Sequence, residues 1–305
     1  IAVATAFRQR YDIALEIVTG PGASLAERIR AEKRAGQLNA DFHDGSAVNL
    51  QNMKTSGLLD TVYAELPVSK EKGIWYLEPV VSDPEDKAIL TFVPVYFTPY
   101  INVNLVKPGQ EPKSYADFLD RRWVAKLSIV DPSVSPGAYQ LFVPLLEKGV
   151  VDEEYIKALG KQQLKLFTTV TQEMSSLSRG EHEVSIRGTD AQASAFVREG
   201  APVKAIPLKE GILVSVRAIS AIAGAPHPNA TKLFINWLLG PEGQAVYTRS
   251  LGMAPLRKDV ADARPDGVKT DNTRLIFVTN EHDAKAAKLM TDRWLADCTL
   301  FGTVS

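Results

Sequence analysis

Residues 88–100 read AILTFVPVYFTPY. Ile89, Leu90, Phe92, Val93, Val95, Tyr96 and Phe97 make this a β-branched and aromatic run, as a buried strand requires. Pro94 and Pro99 lack the amide hydrogen that a ladder uses, so the run is expected as two strands or as one edge strand. It is long enough to carry the chain from one lobe to another. Residues 211–223, GILVSVRAISAIA, form a second long β run and read as the return crossing.

Outward from these runs, short apolar strands alternate with amphipathic helices, the pattern of an α/β sheet protein. A helix is expected over Ile1–Tyr11 and a buried strand over Ile13–Val18. Gly20-Pro-Gly22 turns the chain, and Ser24 with Glu27 forms a capping box for a helix through Ala35 that Gly36 stops. Ala40–His43 reads as a strand, Asp44-Gly-Ser46 as a turn, and Val48–Ser56 as a helix closed by Gly57. Ser114 and Asp117 cap a helix, and Lys126–Val130 is a strand. In the turn that follows, Ser135 caps and Pro136 suits a first helical turn. Asp152 caps a helix ended by Gly160, and Thr171–Arg179 is a helix ended by Gly180. Val184–Ile186 is a strand, Arg187–Asp190 a turn, Ala191–Glu199 a helix closed by Gly200, and Val203–Ile206 a strand. Asn229 caps a helix in which Ala230, Leu233, Phe234, Trp237 and Leu238 share one apolar face. A last helix is expected over Glu281–Ala296.

Composition narrows the function. The chain has 305 residues, 45% hydrophobic and 23% charged, with a net charge of −1, so about two ordinary domains are expected. No global field points to nucleic acid or an acidic membrane surface. The basic cluster Arg28, Arg30, Lys33 and Arg34 is interleaved with Glu27 and Glu32 and reads as a solvated helix face. A single cysteine, Cys298, excludes an intrachain disulfide and leaves the redox compartment open. No apolar run reaches the ~18 residues of a membrane span.

Three stretches carry a family resemblance. Residues 112–123, PKSYADFLDRRW, run into Lys126–Pro132, KLSIVDP; residues 226–244 include HPNA and WLLGPEGQ; Ala254–Val260 reads APLRKDV. In order and spacing they resemble segments of family 1 extracellular solute-binding proteins of ABC transporters, the ferric-iron-binding-protein-like subgroup above all. The resemblance implies a two-lobed α/β periplasmic-binding-protein type II fold, each lobe a mixed sheet flanked by helices, with a ligand cleft between. Lobe one would be residues 1–94 plus 216–262, and lobe two 97–212 plus 264–305, with crossings near 94–97 and 212–216. It also implies a periplasmic protein, or an extracellular and membrane-anchored one. That protein would be a monomer that captures a small-molecule solute and delivers it to a membrane permease, with no cofactor and no nucleic-acid partner.

Two departures from the family pattern stand out. The strand that opens the family precedes the helix at Ile1, and a gap upstream of the given sequence is expected rather than a true deletion. Iron-binding members carry two adjacent tyrosines as ligands, where this chain has Arg187-Gly-Thr-Asp190. A guanidinium there repels Fe(III), so ferric iron with a synergistic anion is the alternative reading rather than the first.

In open α/β sheets, ligands sit beyond the carboxyl ends of strands. Four loops have that position. Gly22, Ser24, Asp44 and Ser46 are the candidate ligand-binding residues of lobe one; Ser135, Gly137, Tyr139, Arg187, Thr189 and Asp190 are those of lobe two. Helix starts near Ser24 and Ser135 offer free N–H groups to an anion, and Arg187 adds a fork donor for carboxylate or phosphate. The expected solute is therefore anionic or zwitterionic. Each residue also has a plainer reading: turn chemistry for the glycines and serines, an ion pair with Asp190 for Arg187, core packing for Tyr139, a cap for Asp44.

Enzyme readings find little support. Gly20-Pro-Gly22 lacks the third glycine of a dinucleotide fingerprint, and no phosphate-binding P-loop or nucleophile elbow occurs. His43, His182, His227 and His282 are scattered, without metal-ligand spacing, and read as surface or supporting residues. Cys298 stands on a terminal helix with no motif around it. This argues against a deaminase-like transferase on the same fold, which needs a cofactor-bearing loop cysteine.

Overall fold

The structure, a computed structural model, describes residues 2–132, 139–270 and 274–278, the side chains of 139–141 excepted. α1 (Ala2–Tyr11) buries Phe7, whose ring meets Phe234 edge-on at 5.1 Å. Asp12, at φ 56°, then turns the chain out of the helix. α2 (Gly22–Arg34), β1 (Phe42–Ser46), α3 (Ala47–Thr55) and the short β2 (Leu59–Asp60) follow. Gly36 and Gly57, at φ 68° and 66°, stand just past the two helices in the left-handed conformation that ends a helix most cheaply at glycine.

β3 (Leu90–Asn102) is one strand despite its two prolines. The second coincides with a register break: Thr98 faces Gly188 and Tyr100 faces Ser185, so Pro99 falls in an irregularity where its missing amide costs nothing. Its carbonyl still accepts from the Ile206 amide at 2.9 Å. The chain then forms β4 (Leu127–Val130), α4 (Tyr139–Glu147), α5 (Glu153–Gly160), β5 (Lys165–Phe167), α6 (Val170–Ser178), β6 (Val184–Thr189), α7 (Asp190–Arg198) and β7 (Val203–Ala205). β8 (Ile212–Ile222) is the second long strand. After it come α8 (Pro228–Leu239), α9 (Pro241–Leu251) and β9 (Leu275–Phe277).

Two compact units result, divided within β3 and within β8. One holds the chain up to Pro94 with Val216–Ala263, the other Val95–Ser215 with the chain from Arg264. In the first unit β1 and β2 pair antiparallel with β8. Ala26, Ile29, Leu50, Met53, Leu58, Ile89, Ala218 and Ile222 form a core between this sheet and α2 and α3. Phe234 stacks on Phe42 at 4.7 Å, and Trp237 is likewise buried, as the apolar face of α8 predicts. Gln244, fully buried in α9, donates to the Phe92 and Leu238 carbonyls and accepts from the Leu256 amide.

The second unit is a mixed sheet. β4 lies parallel to β5 and β6, β3 is antiparallel to β6 and β7, and β8 is parallel to β9. Helix starts here are capped from side chains: Asp152 accepts from the Tyr155 amide at 2.8 Å, and Thr169 from that of Gln172 at 3.2 Å. Ser114 and Asp117 form the expected capping box, although the turn it opens, Tyr115–Leu119, is 3-10 rather than α.

Several expectations need correction. Ile13–Val18 is not a strand: it makes no ladder among the described residues, and Ile17 and Val18 are 55% and 58% exposed. A strand needs partners for its amides and carbonyls, and apolar sequence alone does not supply them. α2 starts at Gly22 behind Pro21, without a side-chain cap, so Ser24 lies inside the first turn rather than at its head. Asp44-Gly-Ser46 is not a turn but the end of β1, and Arg187-Gly-Thr189 is likewise the end of β6, because each continues its ladder to the helix start. His227, not Asn229, precedes α8, since Pro228 takes the first helical position. Of the two readings offered for the histidines, His43 and His182 take the supporting one, buried at 5% and 3% exposure. The helix expected over Glu281–Ala296, with His282 and Cys298, lies outside the described residues.

Candidate functional site

The carboxyl end of β6 gathers the most unusual chemistry of the second unit. Alternation along β6 sends Ser185 and Arg187 to one face and Ile186 to the other. Arg187 is 4% exposed, and its guanidinium lies 4.1 Å from the centre of the Phe97 ring. The ring face is a favourable but weak partner for a cation. Among the described residues its Nε has no hydrogen-bond partner, a costly state for a buried donor. Burial pulls the Arg187 pKa down to about 10, against the charge of Glu173, which holds it up.

Glu173 is fully buried on α6, one residue from Met174 and four from Leu177 on the inward face. Ser128 of β4 donates to its Oε1 at 2.7 Å, while Oε2 makes no hydrogen bond among the described residues. Burial pushes its carboxyl up to about 7; the Ser185 and Ser128 hydroxyls and the Arg187 charge hold it from going higher. Ser128 also meets His182 Nε2 at 2.8 Å, and burial with the Lys165 charge brings that imidazole down to about 4.

Gly188 follows Arg187 against the Tyr100 ring. A Cβ built on it would stand 2.5 Å from Tyr100 Cδ2, so no larger residue fits. Thr189 precedes α7 and its hydroxyl bonds to Gln192. Asp190, fully buried, opens α7 with Arg264 Nη1 3.9 Å from its carboxylate. Arg264 in turn lies over the Tyr96 ring at 4.8 Å. The structure thus brings Arg187, Thr189 and Asp190 together and pairs Asp190 with Arg264, not with Arg187. Ser135 and Gly137 lie outside the described residues, and Tyr139 is described only as the backbone that opens α4.

In the first unit the candidates sit around the starts of α2 and α3. Ser46 ends β1 opposite Arg217 and caps α3 by accepting from the Asn49 amide at 3.2 Å. Asp44 pairs with Arg217 at 2.9 Å, both side chains about two-fifths exposed. Gly22 packs against Asn49: a Cβ there would stand 2.6 Å from Asn49 Nδ2, the atom that also meets His43 Nε2 at 2.9 Å. Ser24 is exposed on the first turn of α2.

Sequence reasoning missed Glu173, Ser128, Arg264, Asn49 and Arg217. Two of them left a signal. A serine inside the apolar run LSIV, and a glutamate in helical phase with Leu177, are polar groups at buried positions and need partners.

Comparison with known proteins supplies the family. The model of the bacterial extracellular solute-binding proteins matches residues 2–275. An uncharacterised protein of Haemophilus influenzae is 21% identical over 317 residues, covering 97% of this chain and 86% of that one. Among solved structures, the periplasmic binding protein AfuA of Actinobacillus pleuropneumoniae, with fructose 6-phosphate bound, superposes with a TM-score of 0.73 at 19% identity, over 98% of this chain and 94% of its own. Iron-bound HitA of Pseudomonas aeruginosa reaches 0.71 at 17%, over 95% and 94%. At these identities the structural likeness establishes the fold: two α/β lobes of the periplasmic-binding-protein type II class. Matched over nearly its whole described length, the chain belongs to the bacterial extracellular solute-binding proteins, a family of ABC-importer substrate-binding components rather than of enzymes.

Proposed function

We propose that the solute is a small anion or zwitterion held by Arg187 at the end of β6. One observation carries this: a buried guanidinium whose Nε has no partner and whose charged neighbour Glu173 is itself pushed towards neutrality. A buried cation left short of acceptors is a strong site for a carboxylate or phosphate, because the fork of N–H donors matches two oxygens at once. Binding to Arg187 supplies the acceptor that the fold withholds. AfuA binds fructose 6-phosphate, a solute of this charge class. HitA binds iron, and the Arg187 guanidinium would repel a hard cation placed beside it. The captured solute passes to a membrane permease dedicated to it, and the protein works as a monomer.

The test is a thermal-shift and calorimetric panel of phosphate, sugar phosphates, sulfate, phosphonates, small carboxylates, polyamines, neutral sugars, and ferric iron with and without citrate. A ligand at 100 times its Kd stabilises the folded state by about 2.7 kcal/mol. An anionic hit that Arg187→Ala abolishes is the expected result. A hit confined to ferric iron, or to neutral or cationic solutes, overturns the proposal.

A further inference from the structure

A line of hydrogen-bonded polar side chains runs through the second unit from Glu173, whose carboxyl feels the Arg187 charge, to the surface. Glu173 Oε1 meets Ser128 Oγ at 2.7 Å, Ser128 Oγ meets His182 Nε2 at 2.8 Å, and His182 Nδ1 meets Ser176 Oγ at 3.3 Å. Ser176 Oγ meets Glu181 Oε2 at 2.6 Å, and Glu181 is 39% exposed. Glu173, Ser128, Ser176 and His182 are all buried.

Burial and the Lys165 charge keep the His182 imidazole neutral above about pH 4, and with a neutral ring the hydrogens of this line can be placed in two ways. Ser176 gives its hydrogen to Glu181 in both, since a carboxylate only accepts. With Glu173 ionised, Ser128 donates to it and the neutral imidazole donates from Nε2 to Ser128. Nδ1 then carries no hydrogen and faces the Ser176 oxygen lone pair to lone pair. With Glu173 protonated, its hydroxyl donates to Ser128, Ser128 donates to Nε2, and Nδ1–H donates to Ser176. Every contact then has one hydrogen. The neutral acid also removes the charge from Oε2, which makes no hydrogen bond among the described residues; the Ser185 hydroxyl favours the ionised form, and burial outweighs it.

Resting on Arg187 as the anion site, we infer that binding of an anion there draws one proton onto Glu173, so that solute capture is coupled to proton uptake. An ionised Glu173 competes with the solute for the Arg187 charge and repels it. Once the solute sits on Arg187, the carboxyl loses the attraction that kept it ionised. Its value in the free protein, about 7, places the exchange within the ordinary pH range.

The other charged groups around α6 do not take over this role. From β5 and the turn after α6, Lys165 and Arg179 are both engaged by Glu181, at 3.2 and 2.6 Å. Glu183 pairs with Lys126 at 2.8 Å. From α7, Asp190 stands beside Arg264. At the end of β4, Asp131 is buried and has partners of its own. His182 titrates near 4 and stays neutral throughout. Arg187 is the charge that Glu173 feels.

The probe is sulfate, whose own charge is constant from pH 6 to 9. Titrated at constant ionic strength, it should bind about tenfold more tightly at pH 6 than at pH 9, the ratio expected if the anion makes the Glu173 carboxyl about tenfold harder to ionise. At pH 7.5, calorimetry in buffers of different ionisation heat should read a fraction of a proton, up to one, taken up per sulfate. Glu173→Gln, checked for fold by circular dichroism, should flatten both. Should that variant not fold, the buffer dependence of the wild type still decides. Sulfate binding that needs Arg187 but takes up no proton overturns the coupling and leaves the anion site standing. Uptake that persists in folded Glu173→Gln assigns the proton elsewhere and overturns it as well. Failure of sulfate to bind, or binding unaffected by Arg187→Ala, overturns the coupling together with the anion site.

Discussion

Arg217 in the first unit and Arg187 in the second both stand on strands that run beside helix starts, and they live in opposite circumstances. Arg217 is two-fifths exposed and holds Asp44 at 2.9 Å. Arg187 is sealed in, with a phenyl ring on one face, no partner at Nε and a carboxyl neighbour inclined to neutrality. Water screens the first pair, so little energy is stored there. The second arginine has given up its water without receiving a full set of acceptors, and an anion that completes the set has much to gain. On the proposed reading the buried arginine is the one that would discriminate among solutes, and the exposed one is surface complement.

The contrast can be broken most directly at Arg187. Arg187→Ala should weaken binding of the cognate anion about a hundredfold, as loss of a charged, desolvated hydrogen-bonding partner does, read by isothermal titration. Retention of full affinity would place Arg187 and Arg217 in one class.

Of comparable size is a pH effect hidden in the wild type. Glu173 is raised from 4.5 to about 7, so between those values the folded state holds more protons than the unfolded one, and stability falls as pH rises. His182 is lowered from 6.5 to about 4, so over that span the unfolded state holds more protons and stability rises with pH. The two slopes oppose each other between about 4.5 and 6.5. Glu173→Gln should leave His182 uncompensated, with a gain of about 3 kcal/mol from pH 4 to 6.5 in urea denaturation. An unchanged profile would contradict the buried state of this pair.

Gly188→Ala should cost about 2 kcal/mol, because the new methyl meets the Tyr100 ring and the Met174 side chain in a packed core. A chemical melt compared with wild type reads it. Smallest of all, Asp44→Ala should change stability by less than about 1 kcal/mol and lose even that in 0.5 M salt. A larger cost would give the first unit's arginine a weight the geometry denies it.

Much of the architecture was legible because backbone punctuation is local. Gly36, Gly57, Gly180 and Gly200 all take left-handed φ at the ends of the helices expected there. The two long β runs appear as single strands of 13 and 11 residues. What stayed illegible depends on distant partners. Ile13–Val18 has the composition of a strand and lacks a ladder. Asp44–Ser46 and Arg187–Thr189 look like turns but extend strands, because β8 and β3 continue beside them. Glu173 and Ser128 are 45 residues apart in sequence, and only folding brings them to one hydrogen bond. Arg187, by contrast, stands out in the sequence from its place after an apolar strand.

Ser46 serves two elements at once, as the last rung of β1 opposite Arg217 and as the cap of α3. Strand alignment and helix onset are therefore one decision. A slip of one residue would turn the side chains of β1 to the opposite face and strip α3 of a bond worth about 1 kcal/mol. A misaligned chain is penalised twice for a single mistake, and this small unit carries its own proofreading at the residue where sheet becomes helix.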